Sequence, residues 1–149
     1  MLKGIPALLH ADLLHALAAM GHGDELAIVD ANFPAASVGR RVIHVVGASA
    51  SETLDAVLSI FPLDATVAPA AFTMEVAGDA GTLPEPVREF AAAFTRHGLA
   101  DAEIGHLARS AFYERARGAF AVVRTGELRP YGNILLVKGT VGADQAGSG

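Results

Sequence analysis

The chain has 149 residues, 52% of them hydrophobic, with no cysteine and a net charge of −5 at neutral pH. That length suits one domain with a sizeable core, and the lack of cysteine excludes disulfides and thiolate metal sites. An acidic chain whose 11 lysines and arginines are scattered is poorly suited to nucleic acid or to an anionic membrane.

No run reaches the ~18–20 apolar residues of a membrane span. Near the N terminus, His10, Asp12 and His15 interrupt the apolar stretch that a signal peptide needs, so the cytoplasm is the expected compartment. The apolar excess is expected to be buried partly between subunits, because obligate interfaces resemble a core cut in half.

In chain order, Leu13, Leu14, Leu17 and Met20 share one helical face and predict a helix over Asp12–Met20. Gly21 is expected to end it in the left-handed conformation. The run Leu26–Val29 predicts a strand covered on both faces, closed by Asp30, with a loop over Ala31–Pro34. Val42–Val46 predicts a second buried strand ended by Gly47. Ser49 and Glu52 form a capping-box pattern ahead of a helix running to Ile60, and Phe61–Asp64 stops it.

A strand is expected over Phe72–Val76 and a loop over Gly78–Pro84. Val87, Phe90, Ala91 and Phe94 recur at helical spacing, and His97-Gly98 closes that helix. A short strand follows at Ile104–Leu107. Ser110 is expected to cap a helix to Ala119, with a buried strand over Phe120–Val123, a turn at Thr125-Gly126-Glu127 and a last strand over Ile134–Val137. The small, polar residues 142–149 predict a disordered tail. Alternating helices and strands predict a single α/β domain over 1–141. It is expected to have three layers and a mostly parallel, mixed sheet.

Ligands of such sheets gather beyond the carboxyl ends of the strands, which is where Asp30 falls. His22 stands between two glycines, which let backbone and ligand approach closely. Imidazole suits proton transfer near neutrality. A histidine beyond a helix end is also a common partner for the last carbonyls. Asp30, eight residues on, is expected to fold back and orient the His22 ring.

Arg109 can bind hydroxyls or anions or remain an ordinary surface arginine. Tyr131-Gly132-Asn133 is a polar turn, and a phenol, bare backbone and amide together suit the vicinal hydroxyls of a sugar. His44 and His106 are placed to face a pocket. His10 and His15, five apart, miss the spacing of paired metal ligands on a helix, and no tight His/Asp/Glu cluster predicts a metal. Phosphate loops and the G-x-S-x-G elbow are absent from the sequence, which disfavours nucleotide cofactors and serine acyl transfer.

Four stretches together resemble the L-fucose mutarotase and D-ribose pyranase family, closer to the fucose branch. They are MLKGI at the start, MGHGDE followed by DANFP, the RSAFYERA run from Arg109, and TGE followed by YGNILL and KG. The resemblance covers residues 1–141 and matches loosely over 65–103. It implies His22 as the catalytic acid, with Asp30, Arg109, Tyr131, Gly132 and Asn133 on the sugar. It also implies exchange of the α and β anomers of a monosaccharide, L-fucose first, without metal or cofactor. A ring-shaped homo-oligomer, commonly a decamer, with sites where neighbours meet, is a further implication, His22 and Asp30 coming from one subunit and Tyr131 and Asn133 from its neighbour. A D-ribose pyranase and a non-catalytic sugar-binding protein are the alternatives.

Overall fold

Alternation along each strand decides the layering. The computed structural model describes residues 1–146. In it β1 (Glu25–Val29) sends Leu26 and Ile28 into one apolar cluster and Ala27 and Val29 into another. All four are fully buried, as a strand covered on both faces requires. The first face is covered by α1 (Ala11–Ala19), α3 (Ala50–Leu58) and α4 (Glu85–Arg96), the second by α2 (Ala35–Val38) and α5 (Arg109–Gly118).

The other strands are β2 (Val42–Val45), β3 (Ala71–Met74), β4 (Ile104–Leu107), β5 (Ala121–Thr125) and β6 (Ile134–Val137), and the sheet order is β2-β5-β1-β6-β3-β4. β1 and β2 each pair in parallel with β5, and β3 with β4, while β6 runs antiparallel to both β1 and β3. The expected mostly parallel, three-layer α/β domain is what forms. Five carboxyl ends therefore lie along one edge of the sheet, joined there by the chain entering β6.

Element ends depart from expectation for local reasons. α1 starts one residue early because His10 is its N-cap, with Nδ1 accepting from the Leu13 N–H and Nε2 3.0 Å from the His44 carbonyl oxygen. Gly21 does not end α1 in the left-handed conformation. Met20 closes it in extended form, and Lys138 Nζ donates to the Leu17 and Met20 carbonyls at 2.7 and 2.6 Å. The left-handed residue of that junction is Gly23, at φ 87°.

A short helix, α2, follows the expected loop directly after Pro34, over residues to which the sequence reading assigns no element. β2 is an edge strand rather than a buried one, with His44 exposed and Val42 and Ile43 only half-buried. Ser49 Oγ accepts from the Glu52 N–H at 3.0 Å as expected, although α3 stops at Leu58. β3 begins and ends earlier than expected, and β5 is displaced toward Thr125. β4 and β6 coincide with their expected ranges.

α5 has no side-chain cap. Ala108 precedes it, Ser110 lies inside its first turn, and Arg109 is its first residue. At the C terminus, residues 142–146 form a hydrogen-bonded turn on Gly142, and 147–149 lie outside the described residues. No helix among the described residues is long and apolar enough to cross a membrane.

Candidate active site

A 310 Å³ cavity opens on the edge where the parallel strands end, lined by Asp30, Arg109, Tyr131 and Asn133 among others. Its volume lies at the small end of ligand sites, ~300–1,000 Å³. The expected sugar-binding residues therefore come together within one chain, with Gly132 between Tyr131 and Asn133. Topology explains the location. Asp30 follows β1, Met74 ends β3, Arg109 follows β4, and the Tyr131–Asn133 segment enters β6, which lies between β1 and β3.

Asp30 is 6% exposed, and Asn133 is also buried. Asn133 Oδ1 accepts from the Asp30 N–H at 2.9 Å, while Asp30 Oδ1 accepts from the Asn32 N–H at 3.0 Å. With its oxygen occupied and one N–H engaged by the Asp30 carboxyl, the Asn133 amide keeps one N–H to offer a ligand hydroxyl. Burial raises the Asp30 pKa above the ordinary carboxylate range, helped by the charge of Glu127 and opposed by the hydrogen bonds of Asn32, Phe33 and Asn133. A carboxyl poised this way accepts hydroxyl hydrogen bonds and exchanges protons more readily than an exposed aspartate.

Arg109 and Tyr113 stand four apart on α5 and so face the same way. Tyr113 lines the cavity and packs edge-on against Phe33 at 5.1 Å. Buried Phe112 and Ala116 seat α5 beneath it. Tyr131 has φ 62°, an uncommon backbone for a non-glycine residue. Its hydroxyl accepts from the Ala77 N–H at 3.1 Å and keeps its own proton to donate.

The loop before Tyr131 is tied down from the opposite side. Arg129 donates to both carboxylate oxygens of Glu127, at 3.0 and 2.9 Å, and to both oxygens of Glu89 on α4, at 2.6 and 2.8 Å. Ser51 on α3 adds a hydrogen bond to Glu89 at 2.7 Å.

His22 is elsewhere. It precedes β1, and Gly23 beside it bonds to the Lys138 carbonyl beyond the end of β6, on the opposite edge of the sheet. The five residues of β1 separate it from Asp30 by about 16 Å. The expected His22–Asp30 pair therefore does not form, because an extended strand cannot fold back on itself.

The imidazole is held instead by Asp64, with Nε2 3.2 Å from Oδ2. Asp64 is buried, and its other oxygen accepts from the N–H and hydroxyl of Thr66 at 2.9 and 2.7 Å. Those bonds, with the nearby imidazole, hold the Asp64 carboxyl below its ordinary range. An ionised Asp64 can only accept, so Nε2 carries the proton and Nδ1 is left as a base. The ring is half exposed, at 50%, and borders a 670 Å³ groove that is mainly apolar, with Leu14, Leu17, Ile60 and Phe61 in its walls.

The sequence thus points to the right kind of pair and the wrong carboxylate. Asp64 gives no local signal, since it sits in a stretch recognisable only as a helix stop. Tyr113 could have been found from its i, i+4 relation to Arg109. His44 faces a separate 390 Å³ hollow with His10 and His15, and His106 Nδ1 lies 2.5 Å from Thr73 Oγ1. Neither lines the cavity of Asp30.

Acid should weaken the fold in a defined window. The Arg129 guanidinium, then Ser51, hold the Glu89 carboxyl down to about 2 from an ordinary 4.5. Between those values the folded form is ionised while the unfolded chain binds a proton. The stabilisation is therefore complete above the unfolded value and is lost as pH falls toward the folded one. Asp55, Asp64 and Glu127 are also lowered and act in the same sense, whereas Asp30 is raised and opposes them. Urea midpoints are expected to fall steadily from about pH 5 to about pH 2. A flat profile over that range would contradict these assignments.

The model of the RbsD / FucU transport protein family matches residues 3–141. The fucose mutarotase of Homo sapiens is 44% identical over 146 residues, 94% of each chain. That of Bos taurus is 43% identical over 147 residues, 95% of each chain. The crystal structure of the fucose mutarotase from Streptococcus pneumoniae in complex with L-fucose superposes with a TM-score of 0.88 at 40% identity. The match covers 95% of this chain and 100% of that one.

Proposed function

This chain belongs to the RbsD / FucU transport protein family, and we propose that it is a sugar mutarotase, with L-fucose its preferred substrate. It is an isomerase that interconverts the α and β anomers of the free sugar. The observation that carries this reading is the gathering of a buried carboxyl, a guanidinium, two phenols and an amide around one small cavity. These groups match the donors and acceptors of a sugar's hydroxyls.

Mutarotation needs a proton delivered to the ring oxygen while another leaves the anomeric hydroxyl. The bond from the anomeric carbon to the ring oxygen breaks, the aldehyde turns, and reclosure gives the other anomer. In our reading Asp30, Arg109 and Asn133 grip the hydroxyls, and Tyr131 supplies a second proton relay. His22, held by Asp64, shuttles the main proton. A protein that only binds sugar has no need of an imidazole fixed by a buried carboxylate, which favours the enzyme over a mere binding protein.

His22 cannot reach the cavity of its own chain, so the proposed site is completed by His22 of an adjacent subunit. The edge bearing His22 would meet the opposite edge of the next chain, a head-to-tail contact that closes into a ring. The apolar groove beside His22, with Ile60 and Val141 partly exposed, and Leu128, 79% exposed at the cavity rim, support that contact. A decamer is the ring size that the family resemblance suggests.

The test is saturation-transfer NMR over a panel of free sugars, in which L-fucose anomers should exchange fastest. Much faster exchange of D-ribose would overturn the substrate, and exchange of none would overturn the reaction. The proton transfers above call for no metal, and no group of three His, Asp or Glu among the described residues could hold one. Dialysis against EDTA is therefore expected to leave the exchange rate unchanged. A loss restored by zinc or manganese would overturn the cofactor-free reading.

A further inference from the structure

We propose that Arg129 is a positioning residue that sets sugar affinity by locking the Tyr131–Asn133 segment, without touching the sugar itself. This rests on the mutarotase reading above. Leu128, Pro130 and Tyr131 line the cavity, whereas the Arg129 side chain turns away from it toward α4. The alternation places a clamp directly behind the surface that receives substrate.

A chain of contacts runs from the clamp to the gripping groups. Arg129 fixes both oxygens of Glu127, which is buried at 4% exposure. The Glu127 side chain in turn backs Gly132, where an added Cβ would lie 2.7 Å from Glu127 Cγ. Gly132 separates Tyr131 from Asn133, so the position of Glu127 bears on both. Glu127 also anchors the neighbouring edge, since its carbonyl accepts from the Ala31 N–H at 2.8 Å, next to Asp30.

Tyr131 at φ 62° occupies a backbone region that persists only when the surroundings over-determine it. The Ala77 N–H fixes its hydroxyl end, and the Arg129–Glu127 pair fixes its backbone side. The fork is bidentate toward Glu127 on the loop and Glu89 on α4, and one of its nitrogens also lies 3.3 Å from the Glu85 carboxylate. That planar geometry is available to arginine and not to lysine. Without its guanidinium, buried Glu127 would be an unpaired charge held only by the Arg129 and Ala50 N–H groups, and its support of Gly132 would loosen.

A purely structural clamp would change stability and the fraction of folded protein while leaving the affinity of the folded enzyme alone. The chain has two tyrosines and no tryptophan, and both tyrosines line the cavity. Ring-13C-labelled tyrosine therefore gives two signals that report the site without reference to activity.

Arg129→Met is expected to move the Tyr131 signal and leave that of Tyr113 in place. It should raise KM for L-fucose about tenfold and lower kcat as well, since Tyr131 both meets the sugar and relays a proton. Glu89→Gln loosens only the α4 end of the fork and should shift the same signal less, with KM raised about threefold; it decides the matter alone if Arg129→Met does not fold. Unchanged KM and an unmoved Tyr131 signal in a folded variant would overturn the proposal, as would a loss confined to kcat. If the wild-type protein exchanges no L-fucose anomers, the mutarotase reading fails, and the tyrosine signals still decide whether Arg129 positions the loop.

Discussion

Replacing His22 with alanine is expected to slow anomer exchange by roughly 10²–10⁴, the usual worth of a positioned acid or base, or about 3–5 kcal/mol of barrier. The expectation rests on the fixed tautomer: the Asp64 carboxylate, 3.2 Å away, holds the Nε2 proton and leaves Nδ1 as a base on a half-exposed ring. Folding should survive the change. The imidazole fills no part of either apolar cluster, and Asp64 keeps its bonds from the Thr66 N–H and hydroxyl when the ring is gone. Exchange would be followed by saturation transfer on protein shown by circular dichroism to be folded. Wild-type rates in that protein would remove His22 from the mechanism.

Mixing two inactive variants should restore activity, because the proposed site draws His22 from one chain and its cavity from the next. His22→Ala carries an intact cavity, and Tyr131→Ala carries an intact imidazole. In rings assembled randomly from equal amounts, about a quarter of the head-to-tail boundaries would pair the two intact halves. Exchange should therefore return to roughly that share of the wild-type rate. If each chain held a complete site, every site in the mixture would carry one defect and the rings would stay inactive. Inactivity in rings verified to be mixed would overturn the shared site. Sequence reasoning alone predicts this sharing with a different partition, His22 and Asp30 from one chain and Tyr131 and Asn133 from the other. The fold puts Asp30, Tyr131 and Asn133 in one cavity and leaves His22 alone on the far edge.

By itself the sequence determined what local chemistry controls. The continuous run Leu26–Val29 reads as a strand buried on both faces and is one, because both covering layers demand apolar side chains. Ser49 three residues before Glu52 reads as an N-cap and is one, because that bond closes within a single turn. The four stretches that carry the family resemblance supplied the reaction, and most of the expected cavity residues proved to be neighbours. The site roles of Arg109, Tyr131 and Asn133 came from that resemblance, since residue type alone also allows a surface arginine and a plain turn.

Tertiary structure decided everything that depends on which strand lies beside which. β6 enters between β1 and β3 in the opposite direction. That insertion brings Asn133 to Asp30 across 103 residues of chain and carries Lys138 to the end of α1. Lys138 then closes α1, a task the sequence assigns to Gly21. The partner of His22 was equally out of reach of sequence. Separation along the chain favours Asp30, but about 16 Å of rigid strand lies between them, while the loop after α3 delivers Asp64 from 42 residues away. A hydrogen bond depends on distance in space, and an extended strand turns nearness in sequence into separation.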